Sequence, residues 1–255
     1  MPLGNKEKVN KIIVTVCKNC QHSFEGKYCN NCGQSAEVNR IGKGFIFRDL
    51  HSGLFNIDEG FLFTVKELFT RPGEAIHDFI KGKRVQYFMP VSMLLVLASL
   101  YSLGFHALHI DIFQINKTQQ AQQVSEPLLR LLTFFDDYYV YISLLVLPYH
   151  ALSSYLLFKK WRYNFFEHVV LTTYTSCQRL LLSIVSIPVM LYYNDPGGVH
   201  TVINVVYGLG VLWFIITYVQ FFKGTIWWKL VLRAILTFFI SYMLFISTIV
   251  IISML

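Results

Sequence analysis

Charge is what this chain has least of. Only 15% of its 255 residues are charged, against roughly a quarter in soluble domains, while 54% are hydrophobic. The shortage is uneven: 13 of the 22 Lys and Arg, and nine of the 15 Asp and Glu, lie at or before residue 84. The remaining two thirds is almost free of charge. A soluble fold of this size could not hide so much apolar surface, whereas a bilayer accepts it. Several catalytic signatures are also missing. The sequence has no Walker loop, nucleophile elbow, Rossmann glycine run, H-E-x-x-H pair or paired intramembrane carboxylates, which argues against ATP-driven and recognised hydrolytic chemistry. No internal repeat is visible, and an odd number of spans does not divide into two inverted halves. No cleavable signal peptide is expected, because residues 1–10 are polar and the apolar stretch Ile12–Val16 is too short for an h-region. That stretch reads better as a strand leading into the first cysteine pair. The formal net charge is +7, but the basic residues are interleaved with acids. They do not form the stripe a nucleic-acid partner would need.

What is present begins with cysteine. Four of the five cysteines form two pairs, Cys17-x-x-Cys20 and Cys29-x-x-Cys32, with eight residues between them. Each C-x-x-C makes a tight turn aiming two thiolates at one point, and two such turns complete a tetrahedral shell of four sulfurs suited to one structural zinc ion. Gly26 and Gly33 can supply the backbone angles these turns need. Phe24 and Tyr28 are the expected apolar cover of a core too small to hold itself together, so metal would provide most of the folding free energy. Disulfides, a redox dithiol and an iron–sulfur cluster are the alternatives. A cytoplasmic location disfavours disulfides, and no thioredoxin-like βαβ pattern surrounds the pairs. Four cysteine ligands would close the site, leaving no position for water or substrate. Cys177 falls within an apolar stretch and reads as a small buried residue.

Residues 45–84 show helical periodicity with mixed polarity. Phe47, Leu50, Leu54 and Ile57 share one face of a first segment. Phe61, Leu62, Val65, Leu68 and Phe69 share a face of the second, opposed by Thr64, Lys66 and Glu67. A third helix is expected to start at Pro72, bury Ala75, Ile76, Phe79 and Ile80, and stop at Gly82. These pieces are too short and too charged to cross a bilayer. They suit the membrane interface or a compact hairpin on the metal module. Lys81, Lys83 and Arg84 form a juxtamembrane basic cluster, readable as ordinary positive-inside charge or as a lipid or anion site.

The pattern Cys-x-x-Cys, then Gly-Lys-Tyr28-Cys29-x-x-Cys32-Gly33-Gln34, then Phe69-Thr-Arg71-Pro72-Gly73, then Gly82-Lys83-Arg84-x-x-Tyr87-x-x-Pro90 resembles a widespread bacterial family. That family is a domain of unknown function in which a zinc ribbon precedes a multi-spanning membrane domain. The resemblance covers about residues 17–95 and implies a bacterial inner-membrane setting, with no activity to carry over.

Five apolar stretches are long enough for roughly 30 Å of hydrocarbon: about 85–106, 138–158, 169–193, 199–222 and 230–255. The loops alternate in charge. The N-terminal region is basic; 109–137 carries Lys117 and Arg130 against Asp111, Glu126, Asp136 and Asp137. The next loop holds Lys159, Lys160 and Arg162, the following one no base, and the last Lys223 and Lys229. Positive-inside alternation then predicts a cytoplasmic N-terminus and an outer C-terminus, with Trp161, Trp227 and Trp228 at the cytoplasmic interface. Within the spans, Gln178 and Arg179 stand out. A mid-bilayer arginine is costly unless paired or solvated; Asp136, Asp137, Glu167 and the cluster Thr172, Thr173, Thr175 are candidate partners. Pro148, His150 and Pro188 could shape a cavity. His106 and His109 read as interfacial, and no carboxylate at ligand spacing makes them a second metal site.

The sequence therefore predicts a mainly α, polytopic membrane protein of about five transmembrane helices. It divides into a four-cysteine zinc ribbon at 1–38, amphipathic interfacial helices at 39–84 and a membrane domain at 85–255. The favoured role is a membrane-embedded adaptor or regulator whose ribbon meets a cytoplasmic or membrane protein partner beside the lipid bilayer. The competing roles are a small transporter, channel or lipid-handling protein with a cavity around Arg179, and an enzyme on lipid-linked substrates using His51, His77 and Asp78.

Overall fold

The structure, a computed structural model, describes residues 14–46, 59–107, 139–193 and 196–254. It is mainly helical, with a small β-hairpin at its N-terminal end. The hairpin pairs β1 (Val14–Val16) with β2 (Ser23–Glu25) antiparallel, Thr15 opposite Phe24. A helical turn at 43–46 follows. Of the first amphipathic segment expected at 45–57, residues 47–58 lie outside the described residues.

Two short helices come next, α1 (Glu59–Thr70) and α2 (Pro72–Lys81). Pro72 occupies the first turn of α2, where its missing N–H costs nothing. Gly82 ends the helix at φ 115°, a left-handed cap whose N–H reaches the carbonyls of Asp78 and Phe79. The buried face of α2 is the expected one: Ala75, Ile76, Phe79 and Ile80.

The polarity read for α1 needs correcting. Thr64 is fully buried and Glu67 nearly so, while Leu62 is 73% exposed. The reason is the irregular stretch 82–89, whose backbone must find partners. The Phe88 N–H donates to Thr64 Oγ1 at 2.7 Å, and Thr64 in turn donates to the Gly60 carbonyl. The Tyr87 hydroxyl donates to the Glu67 carboxylate at 3.3 Å, and that carboxylate also takes the Arg71 guanidinium at 2.5 Å. These polar side chains face inward because they serve a neighbouring non-helical segment, which periodicity alone does not reveal.

The apolar helices are α3 (Pro90–Ala107), α4 (Tyr139–Leu157), α5 (Phe165–Tyr192), α6 (Pro196–Phe221) and α7 (Trp227–Met254). Three of them, α5, α6 and α7, are long and apolar enough to cross a membrane; α3 and α4 carry shorter apolar segments. The stretch expected to span from residue 85 becomes helical only at Pro90. At 1.5 Å per residue, α3 is about 27 Å long. Its start lies beside the middle of α5, where Cys177 Sγ contacts the Pro90 carbonyl. The α1–α2 hairpin packs on α5 and α6.

Helix α5 is the centre of the body, contacting α3, α4, α6 and the hairpin. Half of its most apolar stretch is buried, against 17% for α6 and 22% for α7, so α6 and α7 keep most of their apolar surface outward. One continuous core joins the hairpin to the bundle, from Leu68, Ile76 and Phe79 through Met93 and Leu97 to Tyr174, Tyr218 and Phe222.

Gly73 shows why the hairpin sits where it does. A Cβ at this position would overlap Gln220 and the backbone of Phe221, so only glycine allows α2 to come this close to α6. The Gly73 N–H, an orphan donor of the first helical turn, is taken by Gln220 Oε1 at 3.1 Å.

Candidate metal centre and its seat on the helical body

The four ribbon cysteines converge. Cys17, Cys20, Cys29 and Cys32 place their sulfurs within 4.8 Å of one another. Cys17 and Cys32 are 3.5 Å apart, Cys20 and Cys29 3.6 Å. A disulfide needs about 2.0 Å, and all four are free thiols here. A tetrahedral ion with metal–sulfur bonds of about 2.3 Å gives sulfur–sulfur edges of about 3.8 Å, close to both separations. The group could hold a metal ion, and its donor set is the one a closed structural site uses.

The geometry comes from two copies of one turn. In the first, the Gln21 N–H donates to the Cys17 carbonyl and the Cys17 N–H to the His22 carbonyl. In the second, the Gly33 N–H donates to the Cys29 carbonyl and the Cys29 N–H to the Gln34 carbonyl. The residue after each pair is left-handed: Gly33 at φ 74° and Gln21 at φ 61°. The sequence pointed to Gly33 but not to Gln21, a non-glycine forced into the same angle. Gly26, at φ 103°, instead follows β2.

The ribbon core is Cys17, Phe24 and Cys29, with Ala36 packed on it. Tyr28, expected to cover it, is 67% exposed. A bridge pairs Tyr28 with Ser35, and the ring is left outside the cysteine cluster. Around the thiols the environment is unequal. A hydrogen bond with the Asn31 side chain, helped by the backbone at His22, lowers the Cys20 thiol to about 6, whereas burial pushes Cys32 up to about 11.

The ribbon is tied to the helices by several contacts. Gln34, buried, accepts from the Arg84 N–H at 3.2 Å, and Lys18 Nζ donates to the Val38 carbonyl at 3.0 Å, over Gly82. Arg84 itself donates to the Asn39 carbonyl and lies 4.8 Å over the Phe45 ring. Further along, Arg40 makes a two-pronged pair with Glu167 at 2.7 and 2.8 Å and also donates to the Arg162 carbonyl. Glu167 is 4% exposed and simultaneously closes the capping box of α5 with Asn164. Asn164 Nδ2 donates to the carbonyl of Ile41, which is fully buried in the main core. Glu167 is the main reason the Arg40 pKa is raised. Nothing local in the sequence announces a pair 127 residues apart.

The other singled-out residues divide. Lys83 pairs with Asp78 at 2.9 Å, and Lys81 is exposed. Asp78 is thereby committed to α2, and His77 lies edge-on to the Phe221 ring with its pKa lowered by burial and then by Lys81. His51, His109, Asp136 and Asp137 lie outside the described residues, as does the side chain of His106. Gln178 is structural. Its amide donates to the Leu68 carbonyl at 2.8 Å, and its oxygen accepts from Thr217, so it stitches α1 to α5 and α6. Trp213 Nε1 reaches the same carbonyl. Thr172, Thr173 and Thr175 donate to carbonyls of their own helix. Glu167, a candidate partner of Arg179, is instead engaged by Arg40. Arg179 lines a small cavity with His150, Ser176, Tyr207 and Phe214, of about 30 Å³, room for a water molecule.

One segment matches a known family model. The match is to the family described as Protein of unknown function (DUF3667), over residues 58–102. No curated protein and no solved structure matches the chain. The DUF3667 segment takes in both hairpin helices, the irregular 82–89 stretch and most of α3; the four cysteines lie outside it. Within the matched segment, Pro72 starts α2, Gly73 admits α6, Gly82 caps α2, Tyr87 donates to Glu67 and Pro90 starts α3.

Proposed function

We propose that this chain is a membrane-embedded adaptor or regulator whose N-terminal ribbon, carrying one structural zinc ion, receives a cytoplasmic or membrane protein partner. The supporting observation is that the ribbon is clamped to the helical body yet keeps an apolar outer surface. Val14 and Val16 on one side of β1, together with Tyr28, are 56–67% exposed, while Gln34, and Arg40 just beyond the ribbon, bond to the body. A partner seated on that outer surface would be coupled to α5 through the Arg40–Glu167 pair. The cavity beside Arg179 is about 30 Å³, which favours this reading over a conduit.

In the same proposal all five apolar helices are spans, the shorter α3 being completed on its cytoplasmic side by the α1–α2 hairpin. The setting is a bacterial inner membrane, with the N-terminus inside and the C-terminus outside. The alternation of basic and non-basic loops supports that orientation, and Trp227 and Trp228, 69% and 51% exposed, suit an interfacial belt. The test is photo-crosslinking from position 28 in cells. A defined protein adduct should form and should vanish when Cys29→Ser removes the metal. Adducts only to lipid or to the chain itself would sink the adaptor reading.

A further inference from the structure

Between the ribbon and the helical body lies a groove of about 310 Å³, lined by Lys18, Arg40, Lys81, Arg84 and Arg162 against a single carboxylate, Glu167. Its volume is at the lower end of the range for small-ligand sites. The carboxylate is already spent on Arg40 and on the α5 cap, so it cannot balance the other cations.

Three cations outside the groove have carboxylate partners. Arg71 has Glu67, Lys83 has Asp78 and Lys223 has Glu74, each within hydrogen-bonding distance. In the groove, among the described residues, Lys18, Lys81 and Arg162 have no carboxylate within 4 Å. Lys18 is held in place by the Val38 carbonyl.

Arg162 adds an independent observation. It adopts φ 59°, ψ 21° at the end of the short 3₁₀ turn Lys159–Trp161, a left-handed backbone that disfavours an L-residue with a side chain. Glycine or asparagine would serve the turn alone. The Arg162 carbonyl is fixed by Arg40, and the residue lines the groove beside Trp161 and Tyr163. Strain of this kind concentrates where a side chain must be held in place.

We propose that this groove binds a phosphate monoester, and that its source is the headgroup of an anionic lipid at the cytoplasmic membrane surface. A compact dianion matches the three groove cations Lys18, Lys81 and Arg162, with Lys as point charges and Arg as a planar fork. Trp161, whose indole N–H holds the Lys223 carbonyl at 2.8 Å, stands where an interfacial aromatic belt would lie. No metal ligand lines the groove; its cytoplasmic placement rests on the topology proposed above, whereas binding of the lipid does not depend on the adaptor role.

The experiment uses the full metal-loaded chain in detergent, with dioctanoyl phosphatidic acid as the probe and native mass spectrometry as the readout. Phosphatidic acid should bind one per chain, with dioctanoyl phosphatidylcholine a poor competitor. Lys81→Gln combined with Arg162→Asn should weaken it about thirty-fold, the loss of two near-surface cations. Lys229→Gln, outside the groove, should leave it unchanged. Asparagine tolerates the left-handed backbone; metal content and thermal midpoint check the fold, and Lys81→Glu alone provides a second variant at an exposed position. Displacement of the lipid by inorganic phosphate at equal concentration would keep the groove but assign it to a free phosphate ester. Binding indifferent to the groove variants, or no binding at all, would overturn the proposal.

Discussion

The ribbon and the helical body are held together by opposite means. The body has a continuous apolar core of more than two dozen buried side chains, and a few polar groups stitch its elements together, such as Gln178 on Leu68 and Tyr174 on the Phe88 carbonyl. The ribbon buries Phe24 and little else besides two of its own cysteines. Its order depends on backbone turns, and those turns depend on four thiols that repel one another when ionised unless a cation sits among them. The body should therefore be insensitive to chelators and sensitive to volume changes; the ribbon should be the reverse.

The largest expected effect tests that contrast directly. Cys29→Ser removes a buried cysteine of the candidate metal centre, and structural zinc contributes about 10–16 kcal/mol to the folding of comparable modules. The variant should lose its metal and show fast hydrogen exchange through residues 14–36, while its helical content and membrane insertion stay near wild type. Metal analysis of wild-type protein belongs to the same experiment. Iron, or no metal in freshly reduced protein, would defeat the zinc assignment. Collapse of the whole bundle would show that the two regions are one cooperative unit, joined through Arg40 and Glu167 more tightly than the contrast allows.

The body is probed by Gly73→Ala. One added methyl would meet the Phe221 backbone, and backbone cannot rotate aside, so α2 must move away from α6. Overpacking of this type costs about 1–3 kcal/mol, and the metal content should not change. A lower thermal midpoint in detergent with full zinc occupancy is the expected result. An unchanged midpoint would mean that the hairpin is not pressed against α6.

Much of this contrast was legible in the sequence, for stated reasons. The cysteine spacing encodes the turn geometry, so the cluster could be read directly. Helix α2 carried its own start, stop and apolar face. The long apolar helices follow from hydropathy, with ends shifted by a few residues. The inward face of α1 was not legible, because Thr64 and Glu67 are buried to satisfy residues 87 and 88, a tertiary demand without periodic trace. Arg40–Glu167, and the joining of Lys18 and Arg162 to Lys81 and Arg84 in one basic groove, were missed for the same reason: they are assembled from segments more than 100 residues apart. Lys81, Lys83 and Arg84 read as one cluster from sequence, yet the fold sends Lys83 to Asp78 and leaves Lys81 facing the groove.

The smallest effect sharpens the ribbon side of the comparison. Its two turns are built alike, but one places Gly33 and the other Gln21 in the left-handed region. A side chain there costs about 1–2 kcal/mol, partly offset because glycine loses about 0.5–1 kcal/mol more conformational freedom on folding. Gln21→Gly should therefore tighten the ribbon by a few tenths to about 1 kcal/mol, and Gly33→Ala should loosen it by a similar amount. Nothing lies within 4 Å of a Cβ at Gly33, so a loss there would be a backbone effect and not a clash. The readout is competition for zinc with a chromogenic chelator, since binding and folding are linked in such a module. Retention should rise in the order Gly33→Ala, wild type, Gln21→Gly, and the detergent melting of the helical body should be the same in all three. If both variants leave zinc retention unchanged, the two turns are not the elements that set the ribbon's stability, and its order must come from its contacts with the body instead.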